Sequence, residues 1–335
     1  LKLDCYTDKS GFHKLKEGWA ELLENNNGAS IFQTLEWNLS WWDSFGDGRE
    51  LLILAFYDGE GMLSGIAPLY SNQPRDGRRI LKLVGGIDLS DYLDLICKLG
   101  SEESVCMALM NYLREDYHGW ESLELHNIPS GSPTLKFMPK AARELGLEAI
   151  VEKEEVCPYI DLPSTWDEYL STLSRKNRHE LRRKMRKASS AGGDKRHIIA
   201  WHDNLDEEFE DFFRLHSISR KEKEEFMEDG RRKFFFDFAS RFHDNGWLEL
   251  SFLMIQGKRA ASLLSFKYRD GIYLYNSGFD PSLSAYSAGI AIIGHSIRDS
   301  IEEGYRKYDL LRGGEDYKYR LGARDSHVYS IIISP

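Results

Sequence analysis

Apolar and polar positions along this chain follow two periods that trade places repeatedly. Residues 12–23 and 35–45 carry apolar side chains three and four apart and read as helices. Residues 51–57 and 62–70 are short apolar runs separated by Asp58-Gly59-Glu60-Gly61, and an Asp-Gly turn between such runs predicts a hairpin. Strands are expected over 79–84 and 92–97, a helix over 102–114, a strand over 122–126 and a helix over 134–145. The order then recurs. A long helix is expected over 166–187, with Trp166, Tyr169, Leu170, Leu173, Leu181 and Met185 on one stripe that Asn177 interrupts. Helices over 209–223 and 231–245 precede a meander of strands, 248–255, 260–268 and 272–277, turning at Gln256-Gly257 and Asp270-Gly271. A helix with Ile290, Ile293, Ile297 and Ile301 on one face follows, then strands over 308–311 and 328–333.

Each half thus offers a meander, a helix and a further strand, the pattern of a mixed α/β fold that has been duplicated. The strand signals give way to the long helix near Cys157-Pro158, which divides the chain into 1–157 and 158–335. A length of 335 residues with 41% hydrophobic positions is enough for two cores. The charge, 44 − 54 = −10, repels phosphates at long range, so DNA is not an expected partner. Four cysteines without a C-x-x-C pair, and histidines without zinc-site spacing, predict no metal and suit a reducing, cytoplasmic setting. Residues 1–10 show no secretory apolar run, and no stretch approaches the ~20 apolar residues of a membrane helix.

The most informative segment runs from Asn276 to Ala291, where a strand ends, a loop of small residues follows and an amphipathic helix begins. The first N–H groups of a helix lack internal partners and carry partial positive charge. Small residues there, Ala288, Gly289 and Ala291, let a diphosphate approach the backbone. The same composition also serves simply to make a turn. In the first half, Gly100 and Ser101 are the small residues before the equivalent helix, so one donor site is expected, in the second half.

The Tyr286-to-Ala291 run resembles the pyrophosphate turn of GNAT acyltransferases, Q/R-x-x-G-x-G/A, with Gly289 and Ala291 matching and Tyr286 departing from the first position. Tyr275 to Pro281, then Gly289, then Tyr308 to Lys318 is similar to the Fem-type and CelD-like branch of that superfamily. Gly65 to Leu69 and Ser90 to Asp94 add a weaker match in the first half. The resemblance implies two tandem GNAT-like domains, the first on the acceptor side, and an acyl-CoA donor such as acetyl-CoA; some relatives use aminoacyl-tRNA instead. It places Asn276 and Ser277 on a splayed strand beside the thioester, with Tyr286, Ser287, Ala288, Gly289, Ile290 and Ala291 at the diphosphate. It makes Tyr317 the acid that protonates the leaving thiolate and Lys318 the cation near the donor, so that loss of Lys318 lowers turnover more than stability.

Asp91 is the candidate base for an incoming amine and Glu315 the second; Tyr92 and Arg312 are candidate substrate contacts. Each also has a plain role, Asp91 as a turn cap and the tyrosines as packing. No activated nucleophile is evident, so direct transfer is expected. Arg175, Lys176, Arg178, Arg182, Arg183, Lys184, Arg186 and Lys187 crowd one helix against Glu180 alone. This suits a wall for CoA phosphates, a nucleotide-linked sugar or tRNA, or contact with a membrane bearing a lipid-linked acceptor. It also suits a solvated face balanced by acidic 206–210 and 222–225. Arg178 is the leading single candidate. The expected function is N-acyl transfer to an amine of a small or cell-envelope-linked, sugar- or peptide-like acceptor. An aminoacyl-tRNA-dependent transferase and an inactive binding protein are the alternatives.

Overall fold

The computed structural model describes residues 1–26, 28–72, 79–199, 204–219 and 230–335. Two units divide the chain: Leu1–Val156 with Ser326–Pro335, and Cys157–Asp325. Sequence reading assigns 158–335 to the second unit, yet the last residues group with the first. The cause is the final strand, whose Ile331 and Ile333 bury themselves in the first unit's core.

The first unit contains β1 (Lys2–Tyr6), α1 (Ser10–Lys14), α2 (Lys16–Glu24), α3 (Leu35–Phe45), β2 (Arg49–Tyr57), β3 (Leu63–Asn72), β4 (Arg79–Leu83), β5 (Ile96–Cys97), α4 (Glu102–Glu115), β6 (Trp120–Pro129), α5 (Thr134–Glu144) and the start of β7 (Glu148–Asp161). The order β1-β2-β3-β4-β6 is antiparallel except for the parallel β4–β6 pair, and β13 (Arg324–Ser334) lies antiparallel to β6. The hairpin forms where the Asp-Gly turn predicts it, with Asp58 Oδ1 accepting from the Glu60 and Met62 N–H groups at 3.0 and 2.9 Å. Leu52, Leu54 and Phe56 of β2 pack with Leu81, Leu123 and Leu125 against Val105, Leu109 and Leu113 of α4. The strand expected over 92–97 shrinks to Ile96–Cys97. The backbone is satisfied outside a ladder instead: Leu93 N–H donates to the main-chain carbonyl of Asn127, and Asp94 Oδ1 accepts from Leu95 N–H and, at 2.5 Å, from Thr134 Oγ1.

The second unit holds the end of β7, then α6 (Trp166–Thr172), α7 (Arg175–Ser189), β8 (Arg196–Ile198), α8 (Leu205–Ser219), α9 (Arg231–Asp244), β9 (Leu248–Ile255), β10 (Lys258–Tyr268), β11 (Gly271–Phe279), α10 (Ala288–Glu302), β12 (Lys307–Asp309) and α11 (Asp316–Arg320). The end of the helix expected over 209–223, and the acidic run 222–225, lie outside the described residues. The long helix expected over 166–187 is two helices, because Leu173 is extended (ψ 145°) and Ser174 caps a fresh start, its side chain accepting from Asn177 N–H at 3.2 Å. The sheet runs β7-β12-β11-β10-β9-β8. On one face α10 lies on the sheet and beneath α7, buried nearly all round its first three turns. Gly294 permits that stacking: a Cβ there would stand 2.9 Å from Met185 Sδ and 3.0 Å from Leu181 Cδ1. On the other face, Phe235 and Phe238 of α9 pack on Tyr275, and Phe212 and Phe213 of α8 pack on Phe235. A buried ion cluster joins Arg196 to Glu249 and Asp299, with Lys267 also on Glu249.

Candidate active site

β11 pairs with β12 at Gly271–Tyr273 against Lys307–Asp309, while its pairing with β10 continues to Phe279. The parallel pairing therefore ends at Tyr273, and the two strands part beyond it. A bulge deepens the divergence: between Leu264/Asn276 and Ser265/Leu274 the register skips Tyr275. After the bulge, Ser277 and Phe279 face α10, and Asn276 and Gly278 face α8. Gly278 is required there, because a Cβ would stand 2.5 Å from the backbone N of His216.

The loop after β11 is built by its own polar groups. Asp280 Oδ1 accepts from Ser282 N–H at 2.8 Å, and hydrogen bonds from the Ser282 side chain and backbone hold this carboxyl below its usual range. A 3-10 turn over Pro281–Tyr286 follows, and Ser287 takes a left-handed conformation, φ 55°, before α10 begins. The Ile290 and Ala291 N–H groups turn back to the Ser287 carbonyl. For the Ala288 and Gly289 N–H groups no acceptor occurs among the described residues. These two amides carry the positive end of a four-turn helix.

Beside them lies a cleft of about 340 Å³, within the range of small-ligand sites. Its apolar wall is Phe279, Leu283, Ile290 and Ile293; its polar rim is Ser277, Ser284, Ser287, Lys184, Asp280, Glu315 and Tyr317. A smaller cleft of about 290 Å³ adjoins it at Lys184, Ile290 and Tyr317, and brings Lys176 and Arg320 close. Gly289 sits at the mouth. A Cβ there would meet Phe279 at an ordinary 3.6 Å, so the fold itself does not demand glycine.

Ser277, Ser287, Ala288, Gly289, Ile290, Glu315 and Tyr317 of the sequence candidates come together in this cleft. The others do not line it. Asn276 turns to the opposite face, its Oδ1 3.0 Å from His216 Nε2. Ala291 is buried behind the helix mouth. The Tyr286 hydroxyl accepts from Gln256 Nε2 at 2.8 Å. Arg312 presents its carbonyl to Lys318, and Arg178 points to the far flank of α7, 3.5 Å from the Leu170 carbonyl. Asp91 and Tyr92 belong to the first unit, where the Tyr92 ring is buried against Phe32. In the same first-unit segment, burial, opposed by hydrogen bonds from Ser132 and Thr134, lifts the Asp94 carboxyl to about 6.

Lys318 corrects the sequence reading most. It is neither solvated nor directed at the cleft but 2% exposed, its Nζ donating to the carbonyls of Leu311, Arg312 and Gly313 at 3.0, 2.7 and 2.9 Å and pairing with Glu315 at 3.0 Å. It gathers three carbonyls of a tight loop in which Leu311 is left-handed, φ 58°, and Gly313 has φ 104°. That loop carries Glu315 and Tyr317 to the cleft wall. Lys184, Phe279, Leu283, Ser284 and Ile293 are lining residues that sequence reading did not single out. Lys184 lay within the basic run, and the others flank the small-residue loop, which was the available signal.

Residues 175–319 match the family model for the acetyltransferase (GNAT) domain. This segment has the GNAT fold. The splayed β11–β12 pair and the open α10 mouth both fall inside it. Among solved structures, FemX superposes with TM-score 0.67 at 10% identity, covering 98% of this chain and 96% of its own. L-PGS from Bacillus licheniformis superposes with TM-score 0.56 at 10% identity, covering 94% and 90%. A tandem GNAT protein from the clavulanic acid biosynthesis pathway gives TM-score 0.52 at 11% identity, covering 98% of each chain. At such identities the likeness is one of fold: the chain has a mixed α/β fold like that of these structures, a tandem GNAT protein among them. No curated protein matches the sequence. Among the described residues no helix is long and apolar enough to cross a membrane, and no group of His, Cys, Asp and Glu is arranged to hold a metal ion.

Proposed function

We propose that this GNAT domain transfers an acyl group from acyl-CoA to an amine by direct attack. The observation that carries the reading is the pair of amides, Ala288 and Gly289, which have no acceptor among the described residues and open onto a cleft that Ser277 of β11 also lines. The residues present suit the coenzyme. The two amides and Lys184 are placed for its diphosphate, and Phe279, Leu283 and Ile293 for its apolar arm. The β11 edge at Ser277 lies on the same cleft for the thioester carbonyl. In the transfer the amine nitrogen forms a bond to the acyl carbon as the carbon–sulfur bond breaks, the amine loses a proton and the thiolate gains one. Tyr317, on the cleft wall, is the candidate acid for the thiolate, and Glu315 borders the same space as a candidate proton acceptor. Asp91 remains the first unit's candidate base. The acceptor is proposed to be an amine on a sugar- or peptide-like molecule, small or linked to the cell envelope. The four free cysteines support a reducing, cytoplasmic setting.

The test is thermal unfolding with CoA and acetyl-CoA. Ligand at 100 times its dissociation constant adds ~2.7 kcal/mol of stability, and Gly289→Asp, which puts bulk and negative charge at the two amides, is expected to abolish the shift. No stabilisation of the wild type by either ligand would sink the proposal. Stabilisation without acyl transfer to any amine would favour the binding-protein alternative, to which the departure at Tyr286 also points. An aminoacyl-tRNA donor is favoured by one feature, the lysines of α7 bordering the cleft; tRNA affinity falling steeply with salt would support it.

A further inference from the structure

α7 has two flanks. Lys176 and Lys184 look toward the donor side, whereas Arg175, Arg178, Arg182 and Arg186 border a different cleft of about 580 Å³, which Arg298 of α10 completes. That cleft and the donor cleft have no lining residue in common. Spacings of three and four put the guanidinium groups in one row along the helix, where they repel one another. Asp194 is the one carboxylate among the lining residues. Nearby acids neutralise little: Arg182 lies 3.8 Å from Asp167, and Arg298 lies 3.6 and 3.8 Å from Asp299 and Glu302. For Arg175 and Arg186 no ion pair occurs among the described residues.

A solvated helix face could carry such a row. It would not account for the floor of this cleft. His295 lines it and is 2% exposed. The Nε2 atom lies 3.2 Å from the Gly193 carbonyl, and Nδ1, though buried, has no hydrogen-bond partner among the described residues. A buried ring nitrogen left unpaired is costly and marks a place where a group from outside belongs.

We propose that this cleft is a second anion site, binding the phosphate group of a small ligand independently of the donor cleft. Guanidinium forks match phosphate oxygens two at a time, and a row of four along one helix serves a diphosphate better than a single charge. Burial, reinforced by Arg298, pulls the His295 imidazole below its usual range. Its Nε2–H then stays on Gly193, and the Nδ1 lone pair accepts from a hydroxyl of the ligand. Trp166 at the rim offers a flat apolar surface to whatever the phosphate is attached to, and the volume is that of a small-molecule site.

The probe is inorganic pyrophosphate, titrated calorimetrically into the full chain with CoA at saturation. One site is expected, its affinity falling about tenfold or more in Arg182→Ala and again in Arg298→Ala, because each removes a charged hydrogen-bond donor. CoA affinity and thermal unfolding without ligand stay as in the wild type, since both side chains are substantially exposed. Absent binding, binding indifferent to both substitutions, or binding that CoA displaces would each overturn the proposal. A chain that fails to bind CoA but still binds pyrophosphate in this way would separate this inference from the function proposed above. Two arms identify the source of the phosphate. Sedimentation with phosphatidylglycerol but not phosphatidylcholine vesicles, lost in both variants, assigns a lipid headgroup; binding of a nucleoside diphosphate, lost likewise, assigns a soluble ligand. Duplex RNA bound more tightly than pyrophosphate and lost in the same variants would replace the small-ligand reading with an RNA one.

Discussion

Replacing Lys318 with Met keeps the length of the side chain and deletes the ammonium. Three carbonyls then lose their donor. The Leu311 carbonyl is buried with it, whereas those of Arg312 and Gly313 are partly reachable by water. A hydrogen bond to a charged group contributes ~1.5–3 kcal/mol, and a buried acceptor left unmade costs ~1–3 kcal/mol. Against this, the variant no longer has to desolvate a charge. The net expectation for Lys318→Met is a loss of about 2–4 kcal/mol. In urea this appears as a lower midpoint at unchanged slope, and in heating as a fall in Tm of roughly 5–15 °C for a unit of this size. Glu315 is 44% exposed, so Glu315→Gln alone should cost less than ~1 kcal/mol. A second readout follows from the loop. With the carbonyls released, Glu315 and Tyr317 are no longer held at the cleft wall, and stabilisation by CoA should shrink. A loss below ~0.5 kcal/mol would refute the clamp, and a Glu315→Gln loss equal to that of Lys318→Met would assign the effect to the ion pair instead.

Three further outcomes are expected. Gly289→Ala should leave unfolding unchanged or raise stability by up to ~0.5–1 kcal/mol, since alanine favours helix and finds 3.6 Å of room, while CoA affinity measured by titration falls; unchanged affinity would remove the glycine from the site. Gly278→Ala should destabilise by about 3 kcal/mol or more in urea, because the backbone of α8 at 2.5 Å cannot yield as a side chain would; a neutral outcome would show that β11 and α8 can separate. Asp94 titrates near 6 in the folded chain against 3.8 when exposed, so its neutral form is the one the fold favours. That contribution is fully present below the exposed value and is lost as pH rises through the folded one. Relative to Asp94→Asn, the wild type should therefore lose about 1–3 kcal/mol between those two values, read by urea midpoints across pH; a constant difference would place Asp94 in contact with water.

The loop that opens α10 was legible because it is local. The strand end, the small residues and the Ile290–Ile301 stripe occupy consecutive positions, and the N-terminal amides of a helix are open wherever the helix begins. Gly289 and its neighbours could therefore be named before any fold was known. Elements whose signal is a neighbour's side chain were not legible in this way. In β7 the run Glu152-Lys153-Glu154-Glu155 interrupts the apolar residues and breaks the strand pattern, because most of its length is exposed or half-buried. The break at Leu173–Ser174 was hidden by an apolar stripe that continues across it, although Ser174 is a good cap.

The amino-acid order by itself determined the α/β alternation, the duplicated plan, the hairpin at Asp58-Gly61 and the helix mouth at Gly289, since each depends on residues within one or two turns of one another. Only the tertiary structure decided what Lys318, Asn276 and the arginines of α7 do. An ammonium is a solvated charge or a clamp depending on whether three distant-facing carbonyls converge on it, and a bulge of one residue sends Asn276 to the face opposite Ser277. A row of arginines becomes the wall of a cleft when a second helix brings Arg298 and His295 beneath it. For Lys318 the left-handed turn at Leu311 and Gly313 sets those partners, and for Asn276 and the arginines packing against other helices does.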